Sequence, residues 1–301
     1  MSAVRTDAAG TDATGPDPVG IDAAAATASV ETWSGKDRGD ENFPVGSALI
    51  RRDLRPHVHA FYAFARNADD IADSPVLAPD DKLARLDRME AVLLGRADAG
   101  APSAARLRAS LAATGVTAIH ATELLVAFRR DATVRRTADW DALRDYCRYS
   151  AMPVGRYVLD LHGEDRATWA ASDALCAALQ VLNHLQDGAA DLAALDRCYL
   201  PQDLLARHGA TVEDLRRPAE TPALRAVFDA LLDRTDALLA AAAALPRGVA
   251  DRRLRLETAV INGLARRLAR RLRREDPLAG RVKLRRPDVA GALVAALRFL
   301  T

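Results

Sequence analysis

Two short acidic runs in this chain have the residue types and spacing to hold divalent cations: Asp69-Asp70-Ile71-Ala72-Asp73 and Asp187-Gly188-Ala189-Ala190-Asp191. Each lies at the end of an Ala-rich, otherwise apolar helical stretch. Tyr62 and Arg66 precede Asp69 by seven and three residues, and Gln180 and Asn183 precede Asp187 by seven and four. Residues three, four, seven and eleven apart share one face of a helix. Each run therefore extends a polar stripe along a helix whose other faces suit burial. Carboxylates four apart on an apolar helix repel each other and cost desolvation unless a cation holds them. Mg²⁺ commonly takes one or two carboxylates plus water and phosphate oxygens. Two acidic helix ends facing across a bundle could hold several Mg²⁺ ions, which would neutralise a diphosphate and stabilise its departure as an anion. Arg66 adds a planar fork for phosphate oxygens. With apolar helices forming a dry pocket for a long hydrocarbon, the parts describe ionisation of an allylic or activated alkyl diphosphate. A solvated helix terminus, the first followed by Ser74-Pro75, is the alternative, and spacing alone leaves both open.

The elements that must position these groups are helices. Among 301 residues, half are hydrophobic and aromatics make up only 5%; strong helix formers recur and β-branched runs are few, so an all-α chain is expected. The spacing predicts helices from Pro56 to about Asp73, from an Asp80 cap through Leu94, and over 103–113, 117–131, 139–162, 171–195, 201–208, 220–245 and 249–275. Residues 1–38 are rich in Ala, Thr, Gly and Asp and nearly lack large apolar groups. They read as a disordered leader ahead of a single domain, 39–301, because such a segment cannot offset its ordering entropy.

The net charge of +1 gives no global case for nucleic acid. Cys147, Cys176 and Cys198 have neither metal-like nor disulfide-like spacing, as expected of a reducing cytosol. No apolar run suits a membrane span and no signal-peptide pattern opens the chain, so a cytoplasmic protein is expected. The arginines at 266, 267, 270, 271, 273 and 274 read most simply as a solvated helix face, with peripheral docking to an anionic membrane as the second reading. Cys147, Ala151 and Gly155 form a line of small side chains beside Pro153, which is expected to bend its helix. Such a line serves close helix packing or leaves room for a ligand.

Three motifs, in order and spacing, resemble the squalene/phytoene synthase family over roughly residues 40–290. They are Tyr62-Ala-Phe-Ala-Arg66-Asn-Ala-Asp69-Asp70-Ile-Ala-Asp73; Tyr146-Cys147-Arg-Tyr-Ser150-Ala151-Met-Pro-Val154-Gly155; and Gln180-Val-Leu-Asn183-His-Leu-Gln-Asp187-x-x-x-Asp191 with Arg197-Cys-Tyr199-Leu-Pro201. The resemblance implies an isoprenoid-synthase-type helical bundle around a central hydrophobic cavity, with Mg²⁺ as cofactor. Glu41-Asn-Phe43-Pro-Val45, Tyr149-Ser150-Ala151-Met-Pro-Val154-Gly155-Arg156 and Asn183-His-Leu-Gln-Asp187 resemble the hydroxysqualene-forming branch. That branch converts presqualene diphosphate and water to hydroxysqualene and diphosphate in hopanoid synthesis. The alternative is head-to-head condensation of two prenyl diphosphates. Gln186 stands where condensing relatives usually carry Arg, and Ala190 where they often carry an acid. Both departures imply a thinner polar shell, suited to one diphosphate.

Carried over by position, the resemblance assigns Asp69, Asp73, Asp187 and Asp191 to Mg²⁺ and diphosphate, with Asp70 in support. It assigns Arg66, Asn183 and Arg197 to phosphate, and Tyr62, Gln180 and Tyr199 to the cavity mouth. Phe43, Tyr146, Ser150, Ala151, Val154, Gly155, Leu175 and Leu179 are expected to line the hydrocarbon tunnel, which makes the small stripe room for a prenyl chain. Gln180, Asn183 and Tyr62 are the candidates for aiming a quenching water. The expected partners are a prenyl diphosphate and, transiently, neighbouring enzymes of the same pathway. A non-catalytic helical assembly factor is disfavoured because both aspartate pairs are intact.

Overall fold

The structure, a computed structural model, describes residues 29–31 and 49–299. Among them the ordered elements are helices: α1 (Arg55–Ala72), α2 (Pro79–Leu93), α3 (Pro102–Thr114), α4 (Ile119–Thr133), α5 (Trp140–Ser150) and α6 (Met152–His162) come first. They are followed by α7 (Trp169–Leu195), α8 (Gln202–His208), α9 (Pro222–Ala242), α10 (Leu245–Gly248), α11 (Arg252–Leu272) and α12 (Arg286–Ala296). Among the described residues the one β-like contact is a single parallel bridge between Arg136 and Cys198.

The all-α expectation holds, and helix boundaries fall within a few residues of the sequence reading except in four places. The stretch expected as one bent helix over 139–162 is two helices. Ala151 leaves helical geometry at φ −124°, ψ −43°, and α6 restarts with Pro153 in its first turn. A proline's missing N–H costs nothing in a first turn, whereas mid-helix it removes a hydrogen bond. Asp80 does not cap α2; Pro79 opens the helix and Asp80 sits inside its first turn, where its charge complements the helix dipole. α12 was not expected, because its inward face is only Ala292 and Ala296 and gives no large-residue periodicity. Residues 29–31, within the expected leader, are held: the Val30 N–H donates to Gly100 O at 2.7 Å, and the Ser103 N–H donates to Glu31 at 2.8 Å. The leader reading fails for those three. Phe43 and the 38/39 boundary lie outside the described residues.

Two apolar cores meet along one seam. α1 buries Phe61, Phe64, Ala68 and Ile71 against α2, α3 and α4. The 27-residue α7 runs through the other core, against α5, α6, α9 and α11. α6 joins the halves: the Tyr157 ring stacks on Phe61 at 3.9 Å between centroids, and its hydroxyl donates to His57 O at 3.0 Å. The two acidic helix ends come together on this seam.

Candidate active site

The polar stripe predicted on α1 forms as expected. Arg66 lies 3.6 Å from both Asp69 and Asp70, one turn below them on the same face. Asp73 closes the helix and takes a 2.9 Å bond from Arg197. On α7, Asp187 and Asp191 stand one turn apart, with Asn183 one turn earlier and the Gln180 amide 3.3 Å from His184.

Arg197 and Tyr199 reach the site through an unusual turn. Asp196, just beyond α7, adopts the left-handed conformation at φ 51°, which aspartate tolerates better than most residues. The Arg136 guanidinium holds its carboxylate at 2.8 Å. The chain then doubles back, and the Cys198 N–H donates to Arg135 O at 2.9 Å. The turn thus aims Arg197 at the junction of the two halves. Its guanidinium bonds Asp73, the Asp131 carbonyl at 2.8 Å and the Tyr199 hydroxyl at 3.2 Å.

Asp131, at the end of α4, was not singled out from the sequence. It is buried, and its two carboxylate oxygens each accept a 2.8 Å bond, one from Tyr146 and one from Tyr199. His184 stacks on Tyr199 at 3.8 Å and fixes that ring. Burial pushes the His184 pKa down to about 3, so the ring adds no charge. Tyr146 therefore belongs to this network and not to the hydrocarbon tunnel, as its hydroxyl needs a polar partner when buried. A lone acid after two arginines carries no spacing signal, which is why Asp131 escaped notice.

The electrostatics show an excess of negative charge. Burial raises Asp69 to about 8, with Asp73 adding repulsion and Arg66 opposing it. Asp191 is pushed up to about 7, first by burial and then by Asp187 and Asp73. Asp131 rises to about 6 because burial outweighs Arg197 and the two tyrosine hydroxyls. Burial alone would lower the Arg197 pKa, but Asp131, Tyr199 and Asp73 outweigh it and keep the group charged. Asp191 feels Asp73 and Asp131 across the seam, so the two acidic ends face each other.

A third cation comes from the segment between α11 and α12. Arg281 lies 3.1 Å from Asp187, and the buried Gln186 amide donates to the Val282 carbonyl. Gln186 points away from Asp187 into the protein, and it tethers the segment that delivers Arg281. The sequence reading of a thinner polar shell at Gln186 did not take in Arg281, whose guanidinium stands beside Asp187.

Among the described residues, no three His, Cys, Asp or Glu side chains converge closely enough to hold one ion by themselves. Paired carboxylates with raised pKa values nonetheless fit Mg²⁺, which completes its shell with water and substrate phosphate oxygens. The residues present thus match the ion by charge and donor type.

One to two turns below the aspartates lies an apolar cavity of about 340 Å³, between α1, α6, α7 and α11. Val154, Gly155, Leu175 and Leu179 line it as expected, and Tyr62, expected at its mouth, lines it as well. Ser150 and Ala151 do not: they sit at the break between α5 and α6, and the Ser150 hydroxyl is buried with no partner among the described residues. Gly155 serves both readings of the small stripe. A Cβ there would fall 2.4 Å from Ser172 Oγ and 2.7 Å from Cys176 Sγ, so the glycine allows α6 to approach α7 closely beside the cavity. Ser172, Glu257 and Thr258 add polar groups to the otherwise apolar wall.

A helical bundle with facing aspartate pairs above an apolar cavity defines the prenyl diphosphate-processing class. Residues 36–288 match squalene/phytoene synthase, and the chain belongs to that family. It is 50% identical to the hydroxysqualene synthase of Rhodopseudomonas palustris, over 86% of this chain and 88% of that protein. It is 46% identical to the hydroxysqualene synthase of Zymomonas mobilis, over 87% of this chain and 89% of that protein. The squalene synthase HpnC from Alicyclobacillus acidocaldarius superposes with a TM-score of 0.69 at 35% identity, covering 79% of this chain and 90% of that one.

Proposed function

We propose that the protein converts presqualene diphosphate and water to hydroxysqualene and diphosphate. The observation that carries this reading is the apolar cavity leading from a wall with scattered polar groups up to the facing aspartate pairs. The likeness to named hydroxysqualene synthases along most of both chains supports this choice over condensation.

In this reading Arg66, Arg197 and Arg281 grip the diphosphate oxygens, and Asn183 supports them. Mg²⁺, held by Asp69, Asp73, Asp187 and Asp191, would offset the charge that develops on the leaving group. The C–O bond breaks with its electron pair leaving on the diphosphate. The cyclopropylcarbinyl cation rearranges between Val154, Leu175 and Leu179, where bulk water is excluded. One water then adds through its oxygen and loses a proton, which the departing diphosphate can accept. Tyr62, which lines the cavity, and Gln180 and Asn183, further along α7, are the candidates to aim that water. Among the described residues no helix is long and apolar enough to cross a membrane. The enzyme would work at the cytoplasmic face, beside an enzyme that condenses two prenyl diphosphates to supply the substrate.

Incubating the purified protein and Mg²⁺ with presqualene diphosphate or with farnesyl diphosphate, then identifying products by mass, tests the assignment. Hydroxysqualene from the first substrate alone is expected; consumption of farnesyl diphosphate alone would replace the reading with condensation.

A further inference from the structure

The last helix, α12, has one packed face and one exposed face among the described residues. Its inner face packs through Ala292 and Ala296 onto Ala259, Val260 and Leu264 of α11. Gly263 permits the close approach, since a Cβ there would lie 3.2 Å from the Ala292 Cβ. The outer face is apolar as well. Val289, Leu293, Val294 and Leu297 are 39%, 46%, 69% and 54% exposed, and they make up four of the eight large exposed apolar side chains among the described residues. A helix carrying apolar residues on both faces, with only one face covered among the described residues, calls for a partner against the other.

At the foot of this face lies a groove of about 460 Å³ between the C-terminal end of α11 and the start of α12. Arg267, Arg270, Arg271, Arg274 and Arg285 line it, against Glu275 and Asp288. Arg271 is matched by both acids, with Asp288 at 3.0 Å, and Arg285 lies 3.7 Å from Glu275. Arg270 and Arg274, both exposed, form no ion pair with the described residues. The groove is therefore positive on balance, and its uncompensated charge faces solvent beside the apolar helix.

We infer that this face of α12 and the arginine groove beneath it dock the protein on an anionic lipid membrane. Exposed apolar side chains next to arginines match the acyl boundary and the phosphate layer of such a surface. A second copy fits less well, because a two-fold contact would set the arginine groove against or beside its own duplicate. The N-terminal segment carries Asp7, Asp12, Asp17 and Asp22 and so complements the groove, but it has few large apolar residues with which to cover Leu293, Val294 and Leu297. The segment joining α11 and α12 places Arg281 on Asp187 and Arg285 in the groove, so the docked face is connected to the catalytic mouth. The surface stands on its own geometry; only its use in delivering a lipid substrate rests on the function proposed above.

Pelleting the full chain with phosphatidylcholine vesicles, with and without phosphatidylglycerol, tests this. Binding is expected only with the anionic lipid. Arg270→Glu with Arg274→Glu should weaken it about tenfold or more, and Leu293→Ser with Val294→Ser and Leu297→Ser should abolish retention in high salt. Both variants should keep wild-type helicity and turn over detergent-dispersed substrate normally. Equal pelleting with neutral vesicles, or variants that bind like wild type, would overturn the inference. A dimer that the serine variant dissolves would instead assign the face to a second copy. Lipid binding that appears only after removal of residues 1–28 would assign the groove to the N-terminal segment.

Discussion

At the residue scale, the site depends on one buried guanidinium. Arg197 bonds a carboxylate from α1, a carbonyl from α4 and the Tyr199 hydroxyl at once. Arg197→Ala leaves Asp73 and Asp131 uncompensated and is expected to cost about 3–5 kcal/mol in denaturant unfolding. Asp131→Asn keeps the shape but replaces one acceptor oxygen with an NH₂ donor, so Tyr146 and Tyr199 cannot both donate to it as before. Turnover should fall by about 10- to 100-fold, with a smaller change in KM, as steady-state kinetics will read. Asp69→Asn with Asp187→Asn should abolish turnover while circular dichroism keeps its helical signal; retained activity would contradict the metal assignment. Both aspartate pairs were legible in the sequence because their spacing repeats the helical period. Asp131 and Arg281 were not, since each acts alone and reaches the site only through the tertiary fold.

At the element scale, close approach and tethering set the geometry. Gly155→Ala drives a methyl into Ser172 Oγ and Cys176 Sγ. Separation of α6 from α7 should cost about 1–3 kcal/mol, and Ser172→Gly in the same chain should recover part of the lost melting temperature. Gln186 tethers the segment that carries Arg281. Gln186→Met should increase hydrogen exchange over 278–285 and reduce turnover, although every aspartate remains. An unchanged exchange profile there would remove the tether. Most helices were legible from apolar periodicity and from prolines in first turns. α12 was not, because alanines form its packed face, and the α5–α6 break was read as a bend within one helix because Pro153 in fact marks the start of a second.

At the scale of the whole molecule, two apolar cores are joined at a seam, and the acidic ends of α1 and α7 meet there. The cavity beneath continues between the same helices. Charged and apolar groups are thereby separated along one axis, and the proposed function places the diphosphate at the acidic end and the hydrocarbon in the apolar cavity. The family motifs read from the sequence are borne out by the match over residues 36–288. Of the proposed docking face, the arginine run carried membrane docking as its second reading in the sequence, whereas the apolar half was not legible, because it depends on which side of α12 the described residues leave uncovered.

The central claim is that water, entering the apolar cavity, ends the reaction. Turnover of presqualene diphosphate in water enriched in heavy oxygen tests this most directly. The account predicts an alcohol product whose hydroxyl carries the label in proportion to the enrichment. An unlabelled alcohol, or a hydrocarbon product lacking the hydroxyl, would contradict it.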